Sequence, residues 1–146
     1  MNGPVDFGGG TVNIDAGGVT IVSSGQVTIS NGVSVNGFSA ATPGSAGTAA
    51  GAIPGVLLAT SATGSNAVSF AGGANFLYTG VIYVPNGTVS ISNGVSATSP
   101  GCSELIANDV NLTGGATFAS NTCTQTFGST LPAIPSQVTT TAELVQ

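Results

Sequence analysis

The ionisable side chains of this protein are few: carboxylates at Asp6, Asp15, Glu104, Asp109 and Glu143, thiols at Cys102 and Cys123, and phenols at Tyr78 and Tyr83. There is no Lys, Arg or His among 146 residues, so the formal net charge is −5. Acid–base catalysis usually draws on an imidazole, an amine or a tuned carboxylate, and anionic substrates need cationic clamps. The first two bases and every clamp are missing. Glu104 and Asp109, with Asn108 and Asn111 beside them, carry oxygens of the kind calcium takes. Their spacing fits neither an EF-hand loop nor the nonapeptide of calcium-binding rolls, and two solvated acids at a chain corner is the simpler reading. A glycosidase-like carboxylate pair is set aside in the same way. We expect no catalytic residue, no metal site and no cofactor. Nucleic acid is excluded as a partner because nothing here could neutralise its phosphates.

What must position these groups is a repeat. The phrases Val68-Ser-Phe-Ala-Gly-Gly-Ala-Asn-Phe76, Val89-Ser-Ile-Ser-Asn-Gly-Val-Ser-Ala97 and Val110-Asn-Leu-Thr-Gly-Gly-Ala-Thr-Phe118 begin at equal intervals along the chain. A fourth, Val27-Thr-Ile-Ser-Asn-Gly-Val-Ser-Val35, precedes the first of these by close to two such intervals. Positions 1 and 3 are apolar and mostly β-branched around a polar position 2, the period of a strand with one face inward. Positions 5 and 6 are Asn-Gly or Gly-Gly, residues that tolerate positive φ and let the backbone turn a corner.

Asn-Gly between strands also signals an antiparallel hairpin. The constant period favours a coil, because successive phrases then run the same way and each position rests on its counterpart. An earlier segment supports a longer unit. When Gly18 to Ser34 is laid on Gly80 to Ser96, 11 of 17 positions agree. Each coil then holds a strand such as Val81 to Val84, a bend at Pro85-Asn86-Gly87, a second strand, the glycine corner and a short third strand. The expected fold is an all-β parallel β-helix, a solenoid with about 21 residues per coil and roughly six coils, some 30 Å long.

The whole chain, residues 1–146, reads as one such domain. The Ala-, Gly-, Ser- and Thr-rich stretch from Ala40 to Ala52 breaks the register and marks an irregular insertion at about residues 39–54. A C-terminal tail at about residues 130–146, with Pro132 and Pro135, is expected to return as a strand over the last coil. Hydrophobic residues make up 41% of the chain, enough for a continuous core despite 23 glycines and only 3% charged residues. No apolar run is long enough to span a membrane, and the opening Met1-Asn-Gly-Pro lacks the features of a signal peptide, so we read the sequence as a mature or excised segment.

Cys102 and Cys123 are separated by that same interval, so in a coil they would lie one above the other. Strand spacing of about 4.8 Å falls within the Cα separation a disulfide spans, and a bridge between rungs is expected. Two free buried thiols remain the alternative. A bridge implies an oxidising location: periplasm, cell surface or the extracellular space.

The outward positions of the phrase form two columns of small polar residues. Thr28, Ser69, Ser90 and Asn111 make one; Ser30, Ala71, Ser92 and Thr113 make the other. Such an uncharged face is a candidate binding surface for ice or polysaccharide, although Ser and Thr on exposed strands often serve only solvation and β propensity. Phe76, Tyr78 and Tyr83 could form an aromatic sugar platform; core or coil-edge packing is the plainer reading. The glycine clusters carry no following Lys and are corners, not phosphate loops.

The second half of the chain resembles the C-terminal region of bacterial Tad/Flp pilus-assembly proteins of the TadG-like kind. The residues that carry this are Pro54-Gly-Val56, Ser69-Phe-Ala-Gly-Gly73, Thr79-Gly-Val-Ile-Tyr-Val-Pro-Asn-Gly87, Cys102-Ser-Glu-Leu-Ile-Ala-Asn108 with Val110-Asn-Leu-Thr-Gly114, and Ala142-Glu-Leu-Val-Gln146. The likeness covers roughly residues 54 to 146. It implies a non-enzymatic envelope component, without the N-terminal hydrophobic helix that anchors such proteins. The expected function is therefore structural or adhesive, in the cell envelope or outside the cell. Expected partners are further copies of the chain or other pilus or envelope proteins, with a surface or polysaccharide ligand. Ligand binding through the hydroxyl columns is the rival. A pectate-lyase-like β-helix enzyme is the third reading, and it lacks the basic residue that proton abstraction requires.

Overall fold

The computed structural model describes residues 2–9, 20–39, 53, 55–98 and 103–118. These form ten strands and, among the described residues, no helix: β1 (Val5–Gly8), β2 (Ile21–Ser23), β3 (Val27–Ser30), β4 (Ser34–Ser39), β5 (Val56–Thr60), β6 (Gly64–Phe70), β7 (Asn75–Ile91), β8 (Ser96–Thr98), β9 (Ser103–Leu112) and β10 (Thr117–Phe118). Every pairing between them is parallel. A hairpin meander is thereby excluded.

Three faces repeat up the stack. On the first, Ile21 of β2 lies beside Leu58 of β5, Leu58 beside Ile82 of β7, and Ile82 beside Leu105 of β9. On the second, Val5, Val27, Val68, Val89 and Val110 follow one another through β1, β3, β6, β7 and β9. On the third, Val35 of β4, Phe76 of β7, Ala97 of β8 and Phe118 of β10 are in line. The long β7 crosses two corners and supplies a strand to all three faces.

The steps from Val68 to Val89 and from Val89 to Val110 are each a single turn, as the repeat requires. The step from Val27 to Val68 departs from expectation. These two valines are immediate neighbours, so the double-length interval between them makes one turn and not two. The solenoid has about three turns instead of roughly six. Most of the surplus lies between Ser39 of β4 and Val56 of β5, the place of the insertion read at about 39–54, and the rest chiefly at the register shifts in β4, β5 and β6. A solenoid registers strands, not chain length, and an insertion at a corner leaves the ladders on either side intact. Most of that insertion, and all of the tail at 130–146, lie outside the described residues. Where the insertion ends, Thr20 holds it: its Oγ1 donates to the Val56 carbonyl (2.8 Å) and accepts from the Ile53 N–H (2.8 Å).

The core fills this small bore. Val27, Ile29, Val68, Phe70, Val89 and Ile91 of the second face are all buried, as are Val33, Ala74 and Val95 just beyond the glycine corner. Each fully buried valine or isoleucine contributes about 1.5–3 kcal/mol relative to exposure. Three aromatic rings from a single turn meet in the middle. Phe70 and Phe76 have ring centroids 4.9 Å apart, and Phe76 and Tyr78 stack at 4.9 Å with 19° between planes. Ala97 above Phe76 leaves room for these rings, since a ladder of large residues at every rung would overfill the bore.

Corners stack as closely as strands. Asn31, Gly32, Gly72, Gly73, Asn93, Gly94, Gly114 and Gly115 all adopt positive φ, between 58° and 74°. Their peptides bond upward through the stack, Gly32 N–H to Gly72 O (2.8 Å), Gly73 N–H to Asn93 O (2.9 Å) and Gly94 N–H to Gly114 O (2.9 Å). The backbone groups freed by the turn are thus satisfied by the next turn.

Candidate binding surfaces

The second face presents the polar columns. Asp6, Thr28, Ser69, Ser90 and Asn111 stand on consecutive strands in direct register. Ser30, Ala71, Ser92 and Thr113 continue one corner-ward position on, the last three tied by backbone bonds to the turn below at 2.9–3.0 Å. Thr28, Ser30, Ser69, Ser90 and Ser92 are half-buried, while Asn111 and Thr113 are exposed. Two features break the flatness of this surface. Ser65 lies in a bulge of β6, and its carbonyl accepts the Ser90 hydroxyl at 2.8 Å. Ser30 Oγ accepts from Asn31 Nδ2 at 3.2 Å.

The acids stand apart from one another in role. Glu104 is paired with Val81 on the first face, and Asp109 with Thr88 on the second. The Asp109 carboxylate accepts from the Val110 N–H at 2.9 Å. Among the described residues, no group of three or more His, Cys, Asp or Glu side chains is placed to hold a metal ion. Cys102 and Cys123 lie outside the described residues.

The aromatic triplet is divided. Phe76 and Tyr78 are buried, 1% exposed each, whereas Tyr83 is 43% exposed on the outside of the first face. Burial pushes the Tyr78 phenol up to about 12, a hydrogen bond with the Ser103 side chain opposing the shift. Tyr78 is a core residue. Tyr83 belongs to a column that the alignment of Gly18–Ser34 with Gly80–Ser96 hides. That alignment sets Val22 against Val84, but Val22 lies beside Ala59 and Ala59 beside Tyr83. The corner after β2 is one residue shorter than the corner at Pro85-Asn86-Gly87, and a slip of one residue exchanges the faces of a strand.

Val22, Ala59, Tyr83 and Ile106 thus form an outward apolar strip, about 14 Å long at the usual strand spacing. Beside it runs an open groove of about 380 Å³ whose lining includes Val22, Ala59, Tyr83, Pro85, Asn86 and Ser61. Its polar edge comes from the corner between first and second faces. The two inward hydroxyls at this corner are consumed in holding it. Ser23 Oγ donates to Gly3 O (2.7 Å), and Thr60 Oγ1 donates to Gly25 O (2.8 Å) and accepts from the Ala62 N–H (3.1 Å). Among the described residues, no carboxylate, amine or imidazole side chain lines the groove.

Three comparisons, with protein-family models, with curated proteins and with solved structures, gave no match to this chain. Among the described residues no helix is long and apolar enough to cross a membrane.

Proposed function

We propose that this protein is a non-enzymatic structural or adhesive component of the cell envelope or extracellular surface, built to associate with further copies end to end. The resemblance to TadG-like pilus-assembly proteins points the same way, to a Tad/Flp type of assembly. The observation that carries the reading is the state of the two ends of the ladder. Val110 and Leu112 sit in register with the fully buried Val89 and Ile91, yet are 42% and 50% exposed. Among the described residues no strand pairs with the outer edge of β9 or of β1. The lower end, Val5-Asp-Phe-Gly-Gly9, repeats the phrase of Val68-Ser-Phe-Ala-Gly72, so β1 of one copy offers β9 of another the same pattern of residues that neighbouring turns offer each other. Parallel edges of this kind pair readily unless guarded by charge, and among the described residues only Asp6 on β1 and Glu104 and Asp109 on β9 stand there.

Sedimentation velocity and electron microscopy of concentrated full-length chain test the reading. End-on growth into rods is expected, and Leu112→Asp should shorten them without unfolding the chain. Strictly monomeric particles at every concentration would overturn it. The rival, ligand binding through Thr28, Ser30, Ser69, Ser90, Ser92, Asn111 and Thr113, draws on the registered hydroxyl columns. Thermal hysteresis or glycan binding abolished by changes at Thr28 and Ser69 would favour that rival.

A further inference from the structure

We infer that the Tyr83 groove on the first face is a binding site for a neutral oligosaccharide. The inference does not depend on end-to-end association, since the groove lies on the side of the solenoid and not on its ends. Sugar rings present an apolar face of C–H groups and a rim of hydroxyls. The groove matches both parts. Its strip of Val22, Ala59 and Tyr83 is apolar and stepped at strand spacing, with Tyr83 standing 43% exposed above the small Ala59. A tyrosine ring beside a small residue leaves a shelf on which a pyranose can lie, and aromatic side chains with an amphipathic character favour such half-wet contacts. Ser61 and Asn86, at the corner, supply a hydroxyl and an amide, which both donate and accept. Pro85 beside them stiffens the edge.

Charge selects among sugars. The chain carries five carboxylates and no cation, so uronates, sulfated sugars and phosphorylated sugars meet net repulsion and no clamp. A neutral sugar meets neither obstacle. The scaffold is also preorganised: Ser23 and Thr60, directly beneath the groove, are fixed through backbone hydrogen bonds at 2.7–3.1 Å, so the corner bearing Ser61 need not be ordered on binding. On the second face the Ser90 hydroxyl, which a ligand there would have to use, already donates to Ser65 O.

Titration calorimetry of the full chain with cellohexaose, with the fully N-acetylated chitohexaose and with a galacturonate hexamer is the test. At least one neutral hexamer should bind and the galacturonate should not. Tyr83→Ala and Asn86→Ala, both at exposed positions, should each weaken binding, Tyr83→Ala by about tenfold or more, and Tyr83→Trp should retain it. Asn75→Ala, at an exposed position of the third face, should leave it unchanged. The chain has no Trp, so binding should also alter the near-ultraviolet signal of Tyr83 in the wild type. Absence of binding by both neutral hexamers, binding that survives Tyr83→Ala in a folded variant, or equal binding of the galacturonate would each overturn the assignment. Loss of binding with rods intact, or the reverse, separates this inference from the proposed assembly.

Discussion

Gly72 packs so closely against the corner below it that a Cβ there would come within 2.9 Å of the Asn31 backbone nitrogen. Its neighbour Gly73 has almost the same φ, 72° against 69°, but a Cβ at that position would meet nothing within 4 Å. The pair separates two costs. Gly73→Ala suffers only from a side chain in left-handed backbone, about 1–2 kcal/mol, whereas Gly72→Ala suffers that and must also push two turns apart. Thermal or urea unfolding should show Gly72→Ala the more damaging by about 1 kcal/mol or more. Gly114, against Asn93 in the same geometry, should behave like Gly72. Equal effects at 72 and 73 would mean that corner stacking contributes little.

Truncations along the valine ladder should reveal where the core ends. Val89 is fully buried between Val68 and Val110, while Val110 is 42% exposed although it faces the same interior. Val89→Ala should cost about 2 kcal/mol, from lost burial and an unfilled cavity, and Val110→Ala under about 1 kcal/mol in dilute monomer. If association buries the upper end, the cost at Val110 should rise with protein concentration. A concentration-independent difference would argue that the end stays wet.

Much of this architecture is legible in the residues themselves. Val27, Val68, Val89 and Val110 are found by inspection because inward β-branched positions and glycine corners are dictated by local chemistry that recurs every turn. The number of turns is not legible in the same way. The interval from Val27 to Val68 is nearly twice that from Val68 to Val89, and the Ala-, Gly-, Ser- and Thr-rich stretch between them marks an irregularity without deciding between two turns and one turn carrying an insertion. Only the neighbour relation of Val27 and Val68 decides it. The Tyr83 groove escapes the sequence for a related reason. Val22 and Tyr83 share a column only because one corner is a residue shorter than the other, and corner length is set by how Ser23 and Thr60 bond to the backbone. The alternation Val81 to Val84 does hold a clue, since it turns Tyr83 and Ile82 to opposite faces.

The thiols offer a test of register beyond the described residues. Cys102 and Cys123 are separated by the same interval that carries Val68 to Val89 and Val89 to Val110. A bridge closing a loop of this length should add about 3 kcal/mol. Protein recovered from an oxidising compartment should be lighter than its reduced form by the two thiol hydrogens, and should lose thermal stability on reduction. Two alkylatable thiols in such material would refute the bridge and weaken the case for an oxidising location.

Alkaline titration should expose the buried phenol. Tyr78, pushed up to about 12 by burial, keeps its proton in the folded chain to higher pH than in the unfolded chain, whose tyrosine ionises near 10. The stabilisation linked to this shift is therefore complete below about pH 10 and is lost as pH rises from about 10 to about 12. Its size is about 2–3 kcal/mol, and no Lys, Arg or His is present to confuse that range. Unfolding free energies should fall across this window in the wild type. Tyr78→Phe keeps the stacked ring against Phe76 at 4.9 Å but removes the proton, so its curve should be flatter there. If the variant loses stability between pH 10 and 12 as steeply as the wild type, the phenol at Tyr78 is not the group that sets the alkaline limit.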